Sequence, residues 1–171
     1  MGKCLVKAAK KRGHRVTWVD CPSQVESARE LQKKLTQQLP KHDALIMAAA
    51  VCDTRPRQVS TVKIKKEVLK AIRLVKNPDI LKSLAKKKKT GQVFIGFALE
   101  SENILKNGAE KLKKKKLEAI LIQRAAQGDT PFGDKKIDAV FLKKNGTQVR
   151  FKNRSKPRIA DRMIREVESL F

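Results

Sequence analysis

An uninterrupted apolar run at residues 44–50, ALIMAAA, constrains the fold of this chain more than any other stretch. A strand with solvent on one face alternates apolar and polar side chains, whereas a strand covered on both faces is apolar throughout. Strands covered on both faces occur almost only in parallel sheets with helices on either side. The run therefore predicts a buried strand within an α/β protein.

Apolar runs alternate with helical patterns along the rest of the chain, with no internal repeat and no dividing linker. This alternation predicts a Rossmann-like, doubly wound, mostly parallel sheet in one domain over residues 1–171. Asn145-Gly146 between apolar runs predicts an antiparallel C-terminal hairpin, followed by a helix. The predicted strands are 16–19, 44–50, 72–75, 93–97, 117–122, 139–142 and 149–151; the predicted helices are 2–12, 28–39, one with Asn77 as its N-cap, one from Ser101 to about Lys115, and one around 159–167.

The beginning of the sequence departs from this pattern. A doubly wound sheet ordinarily opens with a strand and a Gly-rich turn into the first helix, whereas this sequence opens with a helical pattern that ends at Gly13. We therefore expect the first strand and its Gly-rich loop to be missing. Three outcomes stay open: the sheet closes over the gap, the chain is a fragment, or another chain fills the position.

The formal net charge is +24, from 41 Lys and Arg against 17 Asp and Glu. Such a charge attracts anions, which include nucleotides, phosphorylated metabolites and nucleic acid. Lysines spread over solvated faces would give the same composition, so charge alone does not separate these interpretations. A nucleic-acid-binding protein is disfavoured, because the sequence has no recognisable binding motif for it and offers little aromatic surface for stacking.

Other classes are disfavoured by composition. No apolar run approaches the roughly 20 residues that cross a bilayer, so we expect no membrane association. Cys4, Cys21 and Cys52 form no CxxC pair, and with two histidines they assemble no zinc site. Three scattered thiols are typical of a reducing cytoplasm, where we expect this protein to lie.

Several sequence blocks, in order along nearly the whole chain, resemble the motifs of the phosphopantothenoylcysteine synthetase family. Each block alone is weak, since a lysine-rich chain produces KIKK by chance. Five in the family's order, with fitting spacing, carry the resemblance. The blocks are DALIMAAAVCD at 43–53, KIKK at 63–66, LVKNPDIL at 74–81, GFALE at 96–100 and NGAEKL at 107–112.

The resemblance implies a ligase of coenzyme A biosynthesis. Members of this family join 4′-phosphopantothenate to cysteine through an acyl-cytidylate formed from CTP, with Mg²⁺ accompanying the nucleotide. Many are homodimers, and some are fused to a flavin-dependent decarboxylase; no flavin is expected in this chain, because it contains no flavin-binding domain. The preference between CTP and ATP, and the ligands of the metal, stay open.

The resemblance also implies site residues. Lys63, the first lysine of KIKK, corresponds to the family's active-site lysine, which we expect to stabilise charge on the phosphoryl group or acyl-cytidylate. The resemblance further implies these nucleotide-binding candidates: Met47, Ala48, Ala49, Asp53, Lys63, Val75, Lys76, Asn77, Pro78, Phe97, Lys111 and Lys115. Each candidate also has a plainer interpretation, as a solvated lysine, a turn aspartate, a helix cap or a core side chain.

The sequence departs from the family at several places, among them Asp20-Cys21-Pro22 in place of the usual SGP and a shorter span between Pro22 and Val25. It has none of the Gly-rich segment that precedes the family's first helix, and Gln123-Arg124 stands where the family has Ala-Asn-Asp or a similar group. These departures bear on catalysis more than on fold. Two alternatives to the ligase therefore stay open: a degenerate relative that binds nucleotides without turnover, and a basic protein that binds nucleic acid.

Overall fold

The structure is a computed structural model that describes residues 1–67, 70–125 and 133–171. The helices are α1 (Gly2–Lys11), α2 (Ala28–Gln38), α3 (Ile80–Ala85), α4 (Ile104–Lys114) and α5 (Lys156–Glu168), with a 3₁₀ turn at Leu39–Lys41. The strands are β1 (Ala44–Ile46), β2 (Thr54–Pro56), β3 (Leu74–Lys76), β4 (Val93–Glu100), β5 (Ala119–Arg124), β6 (Ile137–Lys143) and β7 (Gln148–Arg154).

The main sheet has the strand order β1-β4-β5-β6-β7. Strands β1, β4 and β5 are parallel to one another, whereas β6 and β7 run antiparallel. The sheet is therefore mixed, with the predicted C-terminal hairpin at one edge. Strands β2 and β3 pair antiparallel in a separate two-stranded sheet.

Helices cover both faces of the main sheet, which confirms the predicted α/β class. One face is buried against α1 and α5 and the other against α2, α3 and α4. Alternation along each strand divides the core, because successive side chains point to opposite faces. The first cluster includes Val93, Ile95, Leu121, Phe141, Ile159 and Met163, and the second includes Phe94, Ile120, Ile122, Leu81, Leu84 and Leu112.

Of the predicted strands, one is much shorter than predicted and one does not form. The apolar run 44–50 forms a strand only over Ala44–Ile46, and these three residues are half-buried at an edge of the sheet. Residues 16–19 form no strand, because no neighbouring strand pairs with them among the described residues. Both differences concern the β1 side of the main sheet, since residues 15–19 and β1 line the same cavity.

The predicted N-caps also need correction. The helix α3 is capped by Asp79, whose Oδ1 accepts the Lys82 N–H at 3.1 Å, and not by Asn77. The helix α4 begins at Ile104 after Asn103, which has φ 46°, and not at Ser101. The spacing of apolar residues located both helices, whereas the competing polar residues at their starts left the boundaries open.

No helix in the described ranges is long and apolar enough to cross a membrane.

Candidate nucleotide-binding site

The loop after β1 begins beside strand β4. The Met47 N–H donates a hydrogen bond to the Ile95 carbonyl at 2.9 Å, and the Met47 side chain is buried. Ala48 packs on the same apolar cluster as Phe97, and Ala49 is exposed. The carboxyl ends of β1 and β4 therefore present small side chains and one partly buried ring. In parallel sheets, ligands bind at the carboxyl ends of the strands.

Asn77 fastens this loop to the segment that precedes α3. Its backbone N–H donates to the Asp53 carbonyl at 2.7 Å, and its Nδ2 donates to the carbonyls of Cys52 and Thr54 at 2.9 and 3.3 Å. Arg55 donates to Asn77 Oδ1 at 3.1 Å and to the Lys76 carbonyl at 2.6 Å. One asparagine thus holds three loop carbonyls and the Arg55 side chain.

The segment between β2 and β3 carries Lys63. Its side chain is exposed, as are those of Asp53 just before β2 and Lys76 on β3, while Val75 is half-buried. Lys63 thus lies on the connection between β2 and β3, the two antiparallel strands of the small sheet. Its ammonium group faces solvent.

Lys111 on α4 and Lys115, the residue just after the end of α4, lie one turn apart and pair with carboxylates from two different segments. The Lys111 Nζ pairs with Glu100 at the end of β4, and the Lys115 Nζ lies 3.3 Å from Asp79 Oδ2 before α3. Asn107 also donates to Glu100, at 3.1 Å. The hydrogen bond from Lys111, followed by that from Asn107, lowers the pKa of Glu100 against the opposing effect of its burial.

A cavity of about 1870 Å³ opens beside these loops. Five of the predicted site residues line it: Met47, Ala48, Ala49, Asn77 and Phe97. The remaining predicted residues, Asp53, Lys63, Val75, Lys76, Pro78, Lys111 and Lys115, lie outside its wall. The structure thus gathers the loop after β1 and the end of β4 at the cavity, while the predicted lysines stand apart from that wall.

Sequence reasoning assigned no role to Glu100, Asn107 or Arg55. Glu100 ends an apolar strand and has Asn107 and Lys111 seven and eleven residues beyond it. A carboxylate at the carboxyl end of a buried strand, followed by a helix with an amide and a lysine at i and i+4, is a signal that could have identified the first two. Arg55 had no such signal, because its partner Asn77 is 22 residues away.

No group of three His, Cys, Asp or Glu side chains that could hold a metal ion occurs in the part of the chain that the structure describes. Mg²⁺ commonly takes one or two carboxylates and completes its shell with substrate phosphates and water.

The parallel β1-β4-β5 core and the helices on both faces define an α/β protein with a mixed sheet. Residues 1–170 match the model of one family, described as the DNA/pantothenate metabolism flavoprotein C-terminal domain. The chain belongs to this family.

Similar proteins carry related descriptions. A coenzyme A biosynthesis bifunctional protein CoaBC from Borreliella burgdorferi is 36% identical over 135 residues, which is 71% of this chain and 35% of that protein. A crystal structure of a CoaBC C-terminal domain has a TM-score of 0.76 at 24% identity, covering 98% of this chain and 80% of that one. A Cab2 mutant in complex with phosphopantothenate-cysteine has a TM-score of 0.65 at 16% identity, covering 98% and 56%.

The chain spans about a third of the length of that curated relative. The two structural likenesses show the fold.

Proposed function

We propose that this domain is a phosphopantothenate–cysteine ligase of coenzyme A biosynthesis. The family match over residues 1–170 is the observation that carries the proposal. The relative from Borreliella burgdorferi, named for coenzyme A biosynthesis, supports it. The solved complex of a structural neighbour with phosphopantothenate-cysteine supports the choice of product.

The reaction that we propose has two steps, with CTP as the nucleotide. A carboxylate oxygen of 4′-phosphopantothenate attacks the α-phosphorus of CTP, and the bond to pyrophosphate breaks to give an acyl-cytidylate. The cysteine amine then attacks the acyl carbon, the bond to CMP breaks, and the amine proton passes to solvent. Mg²⁺ enters with the triphosphate and offsets its charge.

In this proposal the chain supplies cationic side chains and a binding surface for the nucleotide. Lys63 stabilises negative charge on the phosphoryl group or the acyl-cytidylate, and its connection between β2 and β3 moves over the bound nucleotide. Lys111 and Lys115 contact phosphate after their ion pairs with Glu100 and Asp79 break. The other proposed nucleotide contacts are Met47, Ala48, Ala49, Asp53, Val75, Lys76, Asn77, Pro78 and Phe97.

Pyrophosphate release tests the proposal. The chain, with and without a family N-terminal segment fused ahead of Met1, is supplied with 4′-phosphopantothenate, cysteine and Mg²⁺ together with CTP or ATP. We expect release that requires CTP and cysteine, and a fall in kcat of about 100- to 1000-fold in Lys63→Ala. Lys87→Ala, which removes an exposed lysine of the 86–89 run, is the matched control and should retain activity.

Other results identify the alternatives. Saturable CTP binding without pyrophosphate release from either form would replace the ligase with a nucleotide-binding relative. Affinity for DNA or RNA that falls steeply with salt and is unchanged in Lys63→Ala would indicate a nucleic-acid-binding protein.

We propose further that the protein is a cytoplasmic homodimer. Large apolar side chains that are exposed on residues 59–74 support an interface there: Val59, Val62, Ile64, Ile72 and Leu74. Exposed apolar patches commonly mark interaction surfaces. Light scattering should give twice the chain mass, and Val59→Lys with Val62→Lys should give the monomer mass, whereas Lys87→Ala should not. A monomer mass for the unaltered chain would contradict the dimer.

A further inference from the structure

Arg55 is a half-buried arginine in the middle of β2, whereas its strand neighbours Thr54 and Pro56 are exposed. Its Nη1 donates to the Lys76 carbonyl at 2.6 Å and to Asn77 Oδ1 at 3.1 Å. The guanidinium group is therefore fixed at one nitrogen, against the segment that leads from β3 into α3.

The charge of Arg55 is not balanced by a carboxylate. In the part of the chain that the structure describes, no ion pair includes Arg55, and both of its hydrogen-bond partners are neutral oxygens. Nε and Nη2 donate to no described residue. Charged groups that are withdrawn from water are ordinarily paired with an opposite charge. This guanidinium therefore retains both the charge and the donors that suit an anion.

The lysines that were predicted to bind phosphate differ from Arg55 in this respect. Lys111 and Lys115 each pair with a carboxylate, so a phosphate has to compete for them. Lys63 is exposed, and water and salt screen its charge. A charge that is partly withdrawn from water interacts more strongly with an anion than an exposed charge does. Arg55 therefore meets an anion with less competition than any of the three lysines.

The surroundings of Arg55 are those of the predicted nucleotide site. Among the described residues from 43 to 77 that line the cavity, Arg55 is the one with a basic side chain, and Asn77 lines the cavity with it. Asn77 Oδ1 accepts from Arg55, while Asn77 Nδ2 donates to the carbonyls of Cys52 and Thr54. An anion that binds Arg55 would therefore lie beside the loop after β1.

The geometry of the guanidinium group indicates the class of anion. An arginine has five N–H donors, and the two on Nη1 are used by the Lys76 carbonyl and Asn77 Oδ1. The remaining donors are on Nε and Nη2, which form one edge of the planar group. Such an edge binds two oxygens of one oxyanion through parallel hydrogen bonds, and phosphate is a preferred partner.

We propose that Arg55 binds a phosphate group of a substrate through Nε and Nη2. The phosphate belongs either to the nucleoside triphosphate or to 4′-phosphopantothenate, and both offer the same chemistry. Because Asn77 and the Lys76 carbonyl hold Nη1, the edge is oriented before the ligand arrives. The inference rests on the proposed function for the identity of the ligands, and it concerns binding and not turnover.

Matched ligands test the inference. CTP and cytidine differ only in phosphate groups, as do 4′-phosphopantothenate and pantothenate. Dissociation constants from the micromolar to the millimolar range are measured by NMR titration of the unaltered chain and of Arg55→Gln. We expect Arg55→Gln to bind one phosphorylated ligand at least about tenfold more weakly, and to bind cytidine and pantothenate within about twofold of the unaltered chain. The pair whose phosphorylated member loses affinity identifies the source of the phosphate.

Two further variants complete the test. Arg55→Lys keeps the charge and a donor for the Lys76 carbonyl but loses the planar edge, so its affinity for that phosphorylated ligand should lie between those of the unaltered chain and Arg55→Gln. It also serves as the test if Arg55→Gln folds poorly. Arg57→Gln removes the same charge two residues away, where the side chain is exposed, and should leave every dissociation constant within about twofold.

Four results would overturn the inference. Equal weakening of both members of a pair would make Arg55 a structural link between β2 and β3 alone. Unchanged affinity of Arg55→Gln for both phosphorylated ligands would exclude the contact, and an equal loss in Arg57→Gln would assign the effect to net charge. Failure of the unaltered chain to bind either phosphorylated ligand would also contradict it. The ligase proposal fails separately, because it is measured by pyrophosphate release and not by these dissociation constants.

Discussion

Gly108 allows helix α4 to lie close against strand β5. A Cβ at this position would stand 2.2 Å from Ile122 Cδ1 and 2.8 Å from Ile122 Cγ1, and Ile122 is fully buried. Real atoms do not approach so closely, so either the helix or the isoleucine would have to move. The absence of a side chain at one residue thus sets the distance between α4, which carries Lys111, and the sheet.

Replacing Gly108 should therefore destabilise the protein. In Gly108→Ala the overpacking costs about 1–3 kcal/mol, while the better helix propensity of alanine returns about 1 kcal/mol, so we expect a lower free energy of unfolding by up to about 2 kcal/mol. Adding Ile122→Val removes the Cδ1 and should recover part of the loss relative to Ile122→Val alone. Urea unfolding measures both; equal effects of Gly108→Ala in the two backgrounds would contradict the contact.

Asn77 shows how far sequence reasoning reaches at the scale of one residue. Its neighbours Pro78 and Asp79 predicted a helix start, and a helix does begin there, at Ile80. The side chain instead bonds to the carbonyls of Cys52 and Thr54, more than 20 residues earlier. A local pattern predicts a helix cap because the capping partners are close in sequence. A hydrogen bond between a side chain and a distant loop forms only once the chain has folded.

At the scale of elements, α1 is held to α5 by apolar packing and by one charged cluster. Glu168 accepts from Arg12 Nε at 2.7 Å and lies 2.7 Å from His14 Nε2, just beyond the end of α1. The hydrogen bonds from Arg12 and His14 lower the pKa of Glu168 from 4.5 to about 2. The cluster is at the surface, so salt screens it.

This cluster predicts a dependence of stability on acid. A carboxylate whose pKa is lowered by folding contributes stability that is present above pH 4.5 and is lost as the pH falls toward 2. Glu168→Gln should therefore have a lower melting temperature than the parent near pH 6 and a smaller further loss between pH 4.5 and 2. The control Asp161→Asn removes an exposed pair within α5; the same flattening in that variant would contradict the assignment to Glu168.

The small sheet of β2 and β3 places the Lys63 connection outside the main sheet. Thr54 pairs with Lys76 and Pro56 with Leu74, so 17 residues leave and return through one short ladder. Pro56 and the irregular spacing of apolar residues after residue 53 predict a loop or flap, whereas the structure forms the short strand β2 there. The strand predicted at 72–75 is likewise displaced and forms at Leu74–Lys76, since a three-residue strand carries little periodicity.

At the scale of the whole molecule, stability should fall across the main sheet. Strand β5 has a partner on each side and is buried, whereas β1 has a partner on one side and is half-buried. Amide hydrogens that are hydrogen-bonded on a buried strand exchange only through larger unfolding events. The sheet therefore has a well-supported side at β5 and β6 and a weakly supported side at β1.

Native-state hydrogen exchange measures this gradient. In the chain alone we expect the amides of Ala44 and Ile46 to exchange at least about 100-fold faster than those of Ile120 and Leu121, equivalent to about 2.8 kcal/mol in opening free energy. The reason is that the first pair lies on β1, which has a described neighbour only on the β4 side, and the second pair lies inside the sheet. Equal protection of the two pairs would contradict an open edge at β1.

By itself the sequence determined the α/β class, the order of the helices, the C-terminal hairpin and the family, because these follow from periodicity and from residue types at short spacing. Tertiary structure alone decided that the apolar run 44–50 lies at an edge, that 16–19 pairs with no described strand, and that Asn77 binds partners more than 20 residues away. The physical reason is range: apolar periodicity reports which face of an element is covered, and it carries no information about which neighbour covers it.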